Sequence, residues 1–178
     1  ETKSLVALVE KFCRKNRSLF RNCEIQIENK GSQAFAFPVN EFLFEMLLMN
    51  IFSNAVKYNE SEVPRLKIVF TSLLQKATID FIDNGVGINK TEIKKIFTKF
   101  YQSGDRENFQ MKSSGLGLYL VSSIAKIHGW KISAHSQGYQ KGARFTLSIP
   151  RANLATIKEK NLWKLLKMKK SMQNAFLN

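Results

Sequence analysis

A carboxylate at the end of a strand-like run, followed at once by two glycines, most narrows what this chain can fold into. Ala77, Ile79 and Phe81 alternate with Thr78 and Asp80, the period-2 pattern of a half-buried strand. The run ends in Asp83-Asn84-Gly85-Val86-Gly87-Ile88. A carboxylate at the end of a buried strand is costly without a partner, and glycines let the backbone turn and approach another surface closely. Together they point to a pocket, with Asp83 accepting a hydrogen bond at its floor and Gly85 and Gly87 clearing space for a flat ligand. A strand entering an Asn-Gly turn is the competing reading of the same residues.

A second stretch bears on the choice. Pro38-Val39-Asn40-Glu41 opens a helix with Asn40 as N-cap. It runs to about Tyr58 and is apolar almost all round, so it is expected to be buried. Asn50, Asn54 and Lys57 interrupt it at i, i+4 and i+7 and share one stripe. Such groups are expensive on a buried helix unless they face a polar cavity. The amide oxygens suit a hard cation and the ammonium suits phosphate. Asparagines capping nearby loops and a lysine reaching solvent remain the alternative.

The other segments read as scaffold around these two. Residues 3 to 20 form an amphipathic helix with Leu5, Val6, Leu8, Val9, Phe12 and Cys13 on one face. Strands are expected at Glu24 to Glu28, Ala34 to Phe37, Leu66 to Leu73, Lys131 to Ser136 and Ala143 to Ile149. A short helix is expected from Asn89 through Ile96, then an aromatic cluster of Phe97, Phe100 and Tyr101. Gln102 to Ser114 is polar and without hydrophobic period, the kind of long loop that is often functional. It leads through Gly115-Leu116-Gly117-Leu118 into a helix ending near His128. A glycine-rich turn feeding a helix N-terminus favours anions.

The net charge of +14 fits an anionic partner without choosing among nucleotide, nucleic acid, acidic protein and lipid. No zinc-finger spacing or aromatic RNA-binding signature supports nucleic acid. Cys13 and Cys23 make no disulfide framework and lack metal-ligand spacing. No apolar run approaches the roughly 18 residues that span a membrane. The chain starts Glu1-Thr2-Lys3 with no signal peptide, and it is expected to be a fragment of a longer protein.

Four motifs in fixed order carry a resemblance. Asn50-Ile51-Phe52-Ser53-Asn54-Ala55-Val56-Lys57-Tyr58 resembles the N box of sensor histidine kinases, and Asp83 to Ile88 their G1 box. Phe97-Thr98-Lys99-Phe100-Tyr101 resembles the F box, and Gly115-Leu116-Gly117-Leu118 the G2 box. Lys141-Gly142-Ala143-Arg144-Phe145 is similar to the last glycine motif. The likeness covers about residues 3 to 150. It implies an α/β two-layer sandwich, the Bergerat fold, in which a mixed sheet is covered on one face by helices and an ATP lid closes the site.

The resemblance also implies roles. Asp83 would bind the adenine amino group, with Gly85, Gly87 and Ile88 shaping the adenine site. Asn54 would hold Mg2+ and phosphate oxygens, with Asn50 nearby, Lys57 on phosphate and Tyr58 near the nucleoside. Gly115, Gly117 and the helix start at Leu118 would cradle the phosphates. Phe100, Tyr101, Ser114, Leu116 and Thr146 complete the expected ATP-binding set, and residues 102 to 114 would be the lid. The family often has Arg where Gln102 stands, a charge that Arg106 or Lys112 could supply, and often Gly at Ser113.

The same fold serves gyrases, MutL-type repair proteins, Hsp90 chaperones and serine kinases that control sigma factors. Those relatives carry a glutamate base where Asn50 stands, and an amide cannot accept a proton near neutral pH. A histidine kinase needs no such base, because a neutral imidazole is already a nucleophile. The resemblance therefore implies a catalytic domain that transfers the ATP γ-phosphoryl to a histidine on a separate dimerisation domain. A receiver domain lies downstream, and the full-length protein is expected to be a homodimer. His128 resembles a structural family histidine, and neither it nor His135 is expected to accept phosphate. A nucleotide-binding pseudokinase and a chaperone- or topoisomerase-type ATPase remain the alternatives. The domain is expected over residues 1–150 and in the cytoplasm. Residues 151–178 are expected to form a basic amphipathic helix, with seven basic residues against Glu159 alone. It would pack on the domain or on a second copy, meet an acidic partner or membrane, or form a linker.

Overall fold

The computed structural model describes residues 1–31, 35–102 and 114–151. The elements run β1 (Thr2–Ser4), α1 (Leu5–Lys15), β2 (Glu24–Asn29), β3 (Ala36–Pro38), α2 (Glu41–Lys57), β4 (Arg65–Ser72), β5 (Lys76–Asp83), α3 (Gly117–Ile127), β6 (Lys131–His135) and β7 (Arg144–Pro150). Most of the expected lid and nearly all of the expected tail lie outside the described residues.

Alternation in the strands sends Leu66, Ile68, Phe70, Ala77, Ile79, Phe81, Phe145, Leu147 and Ile149 to one buried face. The helices cover it. Leu47, Leu48, Ile51 and Phe52 of α2 and Val121, Ile124 and Ala125 of α3 join the same core. The five strands lie in the order β2-β4-β5-β7-β6. Only β2 and β4 are parallel, joined by the crossover through α2 that a parallel pair needs. The opposite face carries polar pairs such as Lys67 with Glu28 at 2.7 Å and Thr146 with Asp80 at 2.5 Å. The mixed sheet with helices on one face is the sandwich the motifs imply.

Three local expectations change. The first helix spans Leu5–Lys15 rather than residues 3 to 20. Asn16 stops it by sending both its backbone N–H and its Nδ2 to the Phe12 carbonyl, at 3.0 and 2.9 Å. The chain then turns to bring the Phe20 ring to 5.4 Å from Phe52. The residues before α1 instead form β1, antiparallel to β3, a three-residue pairing too short to leave a pattern. The helix expected over residues 89 to 96 is a series of turns. Only Ile96 reaches back four residues, to Glu92, while Glu92, Lys95 and Thr98 reach back three. So short a segment does not repay helix nucleation.

Asn40, Glu41 and His128 fix the N-terminal end of α2. The Asn40 side chain accepts the Leu43 N–H at 3.1 Å, as expected of an N-cap. Glu41 binds Lys11 of α1 at 2.5 Å and Lys3 of β1 at 2.6 Å, which hold its carboxyl down at about 2 and tie both elements to α2. The imidazole of His128 connects α2 to α3. Its Nε2 accepts the Asn40 N–H at 3.1 Å, so Nδ1 carries the hydrogen and donates to the Ile124 carbonyl at 2.8 Å. The ring is 8% exposed and stacks on Trp130. Both nitrogens are thus engaged inside the fold, the structural place the resemblance implies.

Burial pushes His128 below its ordinary 6.5, with the bond to Ile124 opposing. The unfolded chain therefore takes up a proton that the folded one resists, so stability is full above pH 6.5 and falls as pH drops below it. Denaturant melts between about pH 7.5 and about pH 5.5 should show this loss, and His128→Gln should flatten it. An equal slope in the variant would place the sensitivity elsewhere.

Candidate functional site

A cleft of about 340 Å³ opens between α2, the 83–88 loop, the turns before residue 102 and the start of α3. It gathers most of the residues singled out in the sequence. Asn50, Asn54, Lys57 and Tyr58 come from α2 and its C-cap. Asp83, Gly87 and Ile88 form the floor side, and Tyr101, Ser114, Gly115, Gly117 and Leu118 the far wall.

Four expected residues do not line it. Gly85 faces α2 instead, where a Cβ would stand 2.3 Å from the Tyr58 carbonyl. Phe100 is 62% exposed, and its N–H donates to the Gly115 carbonyl at 3.1 Å. Leu116 is the N-cap position of α3. Thr146 sits on the opposite sheet face with Asp80. Alternation along β7 turns its neighbour Phe145 to the cleft, so the nucleotide contact implied for Thr146 is not where the side chain points.

The Asp83 carboxylate divides its bonding. Oδ1 accepts the N–H groups of Gly85 at 2.9 Å and Ala143 at 3.0 Å. Among the described residues no donor meets Oδ2. Burial raises the acid above its ordinary 3.8, and the two backbone bonds oppose that rise. The floor of the cleft thus holds an acceptor at a desolvation cost, ready for a donor from outside.

The other end suits an anion. Among the described residues no side chain caps α3, and free N–H groups at a helix start attract negative charge. Lys57 lines the cleft nearer the Asp83 loop, without a carboxylate partner among the described residues; its ammonium lies 5.5 Å from the centre of the Tyr58 ring. Asn50 gives its Nδ2 to the Met46 carbonyl at 2.8 Å, which leaves Oδ1 towards α3. A Cβ on Gly117 would lie 2.9 Å from that oxygen, so glycine lets the helix start close over Asn50. Asn54 makes no side-chain hydrogen bond to a described residue. Its free amide oxygen fits a hard cation, although no cluster of His, Cys, Asp or Glu able to hold a metal occurs among the described residues. Along α2, Tyr58 abuts the Asp83 loop and Asn50 abuts α3, about 12 Å apart at the helical rise.

Sequence reading missed part of the site. Ser53, Ile96, Ala143 and Phe145 line the cleft but read as ordinary helix and strand positions. Gln102, noted as a departure, also lines it. Arg106, Lys112 and Ser113 lie outside the described residues. Asn84 organises the 59–65 loop, with Oδ1 accepting from Asn59 Nδ2 at 2.8 Å and Arg65 N–H at 2.7 Å. Ser136 is buried at the junction of two loops. Its position between a strand end and Gly138 was the only signal.

Fold and cleft define an α/β sandwich of the kind found in histidine kinase catalytic domains. Residues 40–153 match the family model HATPase_c, the histidine kinase-, DNA gyrase B-, and HSP90-like ATPases, and the chain belongs to this family. It is 33% identical over 123 residues to the signal transduction histidine-protein kinase ArlS of Staphylococcus epidermidis, a match covering 69% of this chain and 26% of that protein. The chain thus corresponds to about a quarter of that relative's length. The catalytic domain of histidine kinase ThkA superposes with a TM-score of 0.71 at 21% identity, covering 85% of this chain and 97% of that one. ThkA in complex with response regulator protein TrrA gives 0.68 at 19% identity, covering 85% and 41%. The domain is therefore a catalytic domain of the sensor histidine kinase kind.

Asp83→Asn should leave the ligand-free protein equally stable or more stable at neutral pH. Its amide oxygen keeps both backbone bonds and it carries no charge to desolvate. The sign follows from the raised acid: the fold binds this proton more tightly than the unfolded chain does, so stability falls as pH rises through the window above 3.8. A thermal melt lowered by several degrees would show that the ionised form is what the fold needs.

Proposed function

We propose that this domain binds ATP with Mg2+ in the cleft and transfers the γ-phosphoryl group to a histidine on a separate dimerisation domain. The observation that carries the reading is one cleft with two unlike ends. Asp83 Oδ2 is an open acceptor at one end, an uncapped helix start lies at the other, and Lys57 lines the same cleft. The exocyclic amino group of adenine is a donor that matches Oδ2. Ile88 and Tyr58 would flank the base, and Gly115, Gly117 and the first N–H groups of α3 would receive the phosphates. Asn54 would hold Mg2+ together with phosphate oxygens, the usual way this ion meets a nucleotide site. Mg2+ held there would offset the negative charge of the phosphates during transfer.

Catalysis on this reading is positioning. An imidazole nitrogen attacks the γ-phosphorus in line, an N–P bond forms as the bond to the β-phosphate oxygen breaks, and ADP leaves. Asn50 stands where a water-activating base would be, so the incoming nucleophile has to be reactive in its neutral form. A receiver domain would take the phosphoryl group from the histidine, and the parent protein would act as a homodimer with this domain in the cytoplasm. No helix among the described residues is long and apolar enough to cross a membrane. We place the domain boundary near residue 150. The remaining basic segment is read as an amphipathic helix outside the nucleotide site.

Asp83→Asn should weaken an ATP analogue by about 10- to 100-fold, since a hydrogen bond to a buried charge contributes roughly 1.5–3 kcal/mol. Calorimetry measures this, and unchanged affinity would remove Asp83 from the base site. Asn54→Ala should weaken binding more with Mg2+ than without it; equal losses would end the metal role. Transfer of labelled phosphate from ATP to a supplied histidine domain tests the whole reading, and binding without transfer would make the domain a nucleotide sensor.

A further inference from the structure

We infer that Ser136 is the positioning residue of the base end of the cleft, fixing where Ile88 and the Asp83 carboxylate meet the ligand. This deepens the ATP reading and rests on it. Ser136 follows β6 and is 4% exposed. Its Oγ accepts the Ile88 N–H at 3.0 Å and the Gly138 N–H at 3.2 Å, and donates to the Gly142 carbonyl at 2.7 Å. A hydroxyl has one donor and two acceptor positions, so all three are used.

The three partners lie where they matter. Ile88 lines the cleft. Gly142 precedes Ala143, whose N–H holds Asp83 Oδ1. Gly138 is packed so closely on the 83–88 loop that a Cβ on Gly87 would lie 2.0 Å from its carbonyl oxygen. Other bonds between these loops bypass Ser136: Gln140 N–H to the Val86 carbonyl at 2.7 Å, and Gly142 N–H to the Gly85 carbonyl at 3.0 Å. Those hold residues 85 and 86. The Ile88 N–H depends on the hydroxyl alone among the described residues. Without it the loops stay joined, but Ile88 is free to shift and a buried N–H is left unpaired. The loss falls on the base end, while the α3 end keeps its own geometry.

The test titrates wild type, Ser136→Ala and Ser136→Thr with a Mg2+-loaded ATP analogue and, separately, with inorganic tripolyphosphate. Ser136→Ala should lose about tenfold in affinity for the analogue, with tripolyphosphate binding unchanged. Ser136→Thr, which keeps the hydroxyl, should recover most of the loss. If Ser136→Ala does not fold, Ser136→Cys takes its place, its thiol being a weak donor and acceptor. Equal weakening for both ligands would reduce Ser136 to a stability residue, and unchanged analogue affinity would overturn its positioning role. A wild type that binds tripolyphosphate but gains nothing from the adenosine part would overturn the base site itself, a result distinct from any behaviour of the variants.

Discussion

The cleft depends on one carboxylate oxygen. Asp83 Oδ1 receives the N–H of Gly85 from its own loop and the N–H of Ala143 from just before β7, so two separate segments are held at the end of β5. The backbone repeats the connection, with Asp83 N–H donating to the Ala143 carbonyl at 2.9 Å. The approach is possible because Gly142 takes φ +65°, and a Cβ there would stand 2.1 Å from the Asp83 carbonyl oxygen. With Oδ1 committed to the scaffold, Oδ2 remains at the cleft wall. The desolvation cost of the charge is thus balanced inside the fold only in part, and a ligand donor can supply the remainder.

Helix α2 sets the length of the site. Its N-terminus is held by the Asn40 cap and the His128 ring. Its C-terminus is held where the Tyr58 carbonyl accepts the Val86 N–H at 2.9 Å. Between them the buried side enters the core, and the polar stripe of Asn50, Asn54 and Lys57 faces the cleft. The helix therefore fixes the spacing between the acceptor at one end and the anion-accepting start of α3 at the other. A mutation at His128, outside the boxes, acts on the N-terminal end of the helix that carries Asn50, Ser53, Asn54 and Lys57.

What was legible in the sequence was periodic or costly. Alternation placed the strands, and the 3.6-residue stripe placed α2 with its cap at Asn40. A buried carboxylate and a polar stripe on an apolar helix are expensive, and that expense pointed to the cleft. The parts that escaped have no such signature. β1 is three residues long. Ala143 and Phe145 look like any strand residues, because a site wall and a core wall use the same side chains. Thr146 was assigned to the nucleotide by resemblance, yet the strand period turns it to the other face. Ser136 gave no cost signal, since a serine near glycines is what ordinary turns contain. Its role exists only in the meeting of two loops far apart in sequence.

The chemistry of the cleft also limits what the domain can do alone. Asp83 is the only carboxylate among the described lining residues, and its Oδ1 is held by backbone at the base end. Asn50 stands beside the start of α3 but cannot take a proton, and its amide is tied to Met46. Among the described lining residues, none at the α3 end has a side chain able to activate a water molecule. On the proposed function, hydrolysis would find no base among those residues, whereas transfer to a neutral imidazole needs none. On that proposal the site would hold a nucleotide in water with little loss and leave the reaction to the arrival of the correct nucleophile. If the proposed function holds, Asn50 in place of a base would be a specificity device: phosphoryl transfer would be conditional on docking of the histidine-bearing domain.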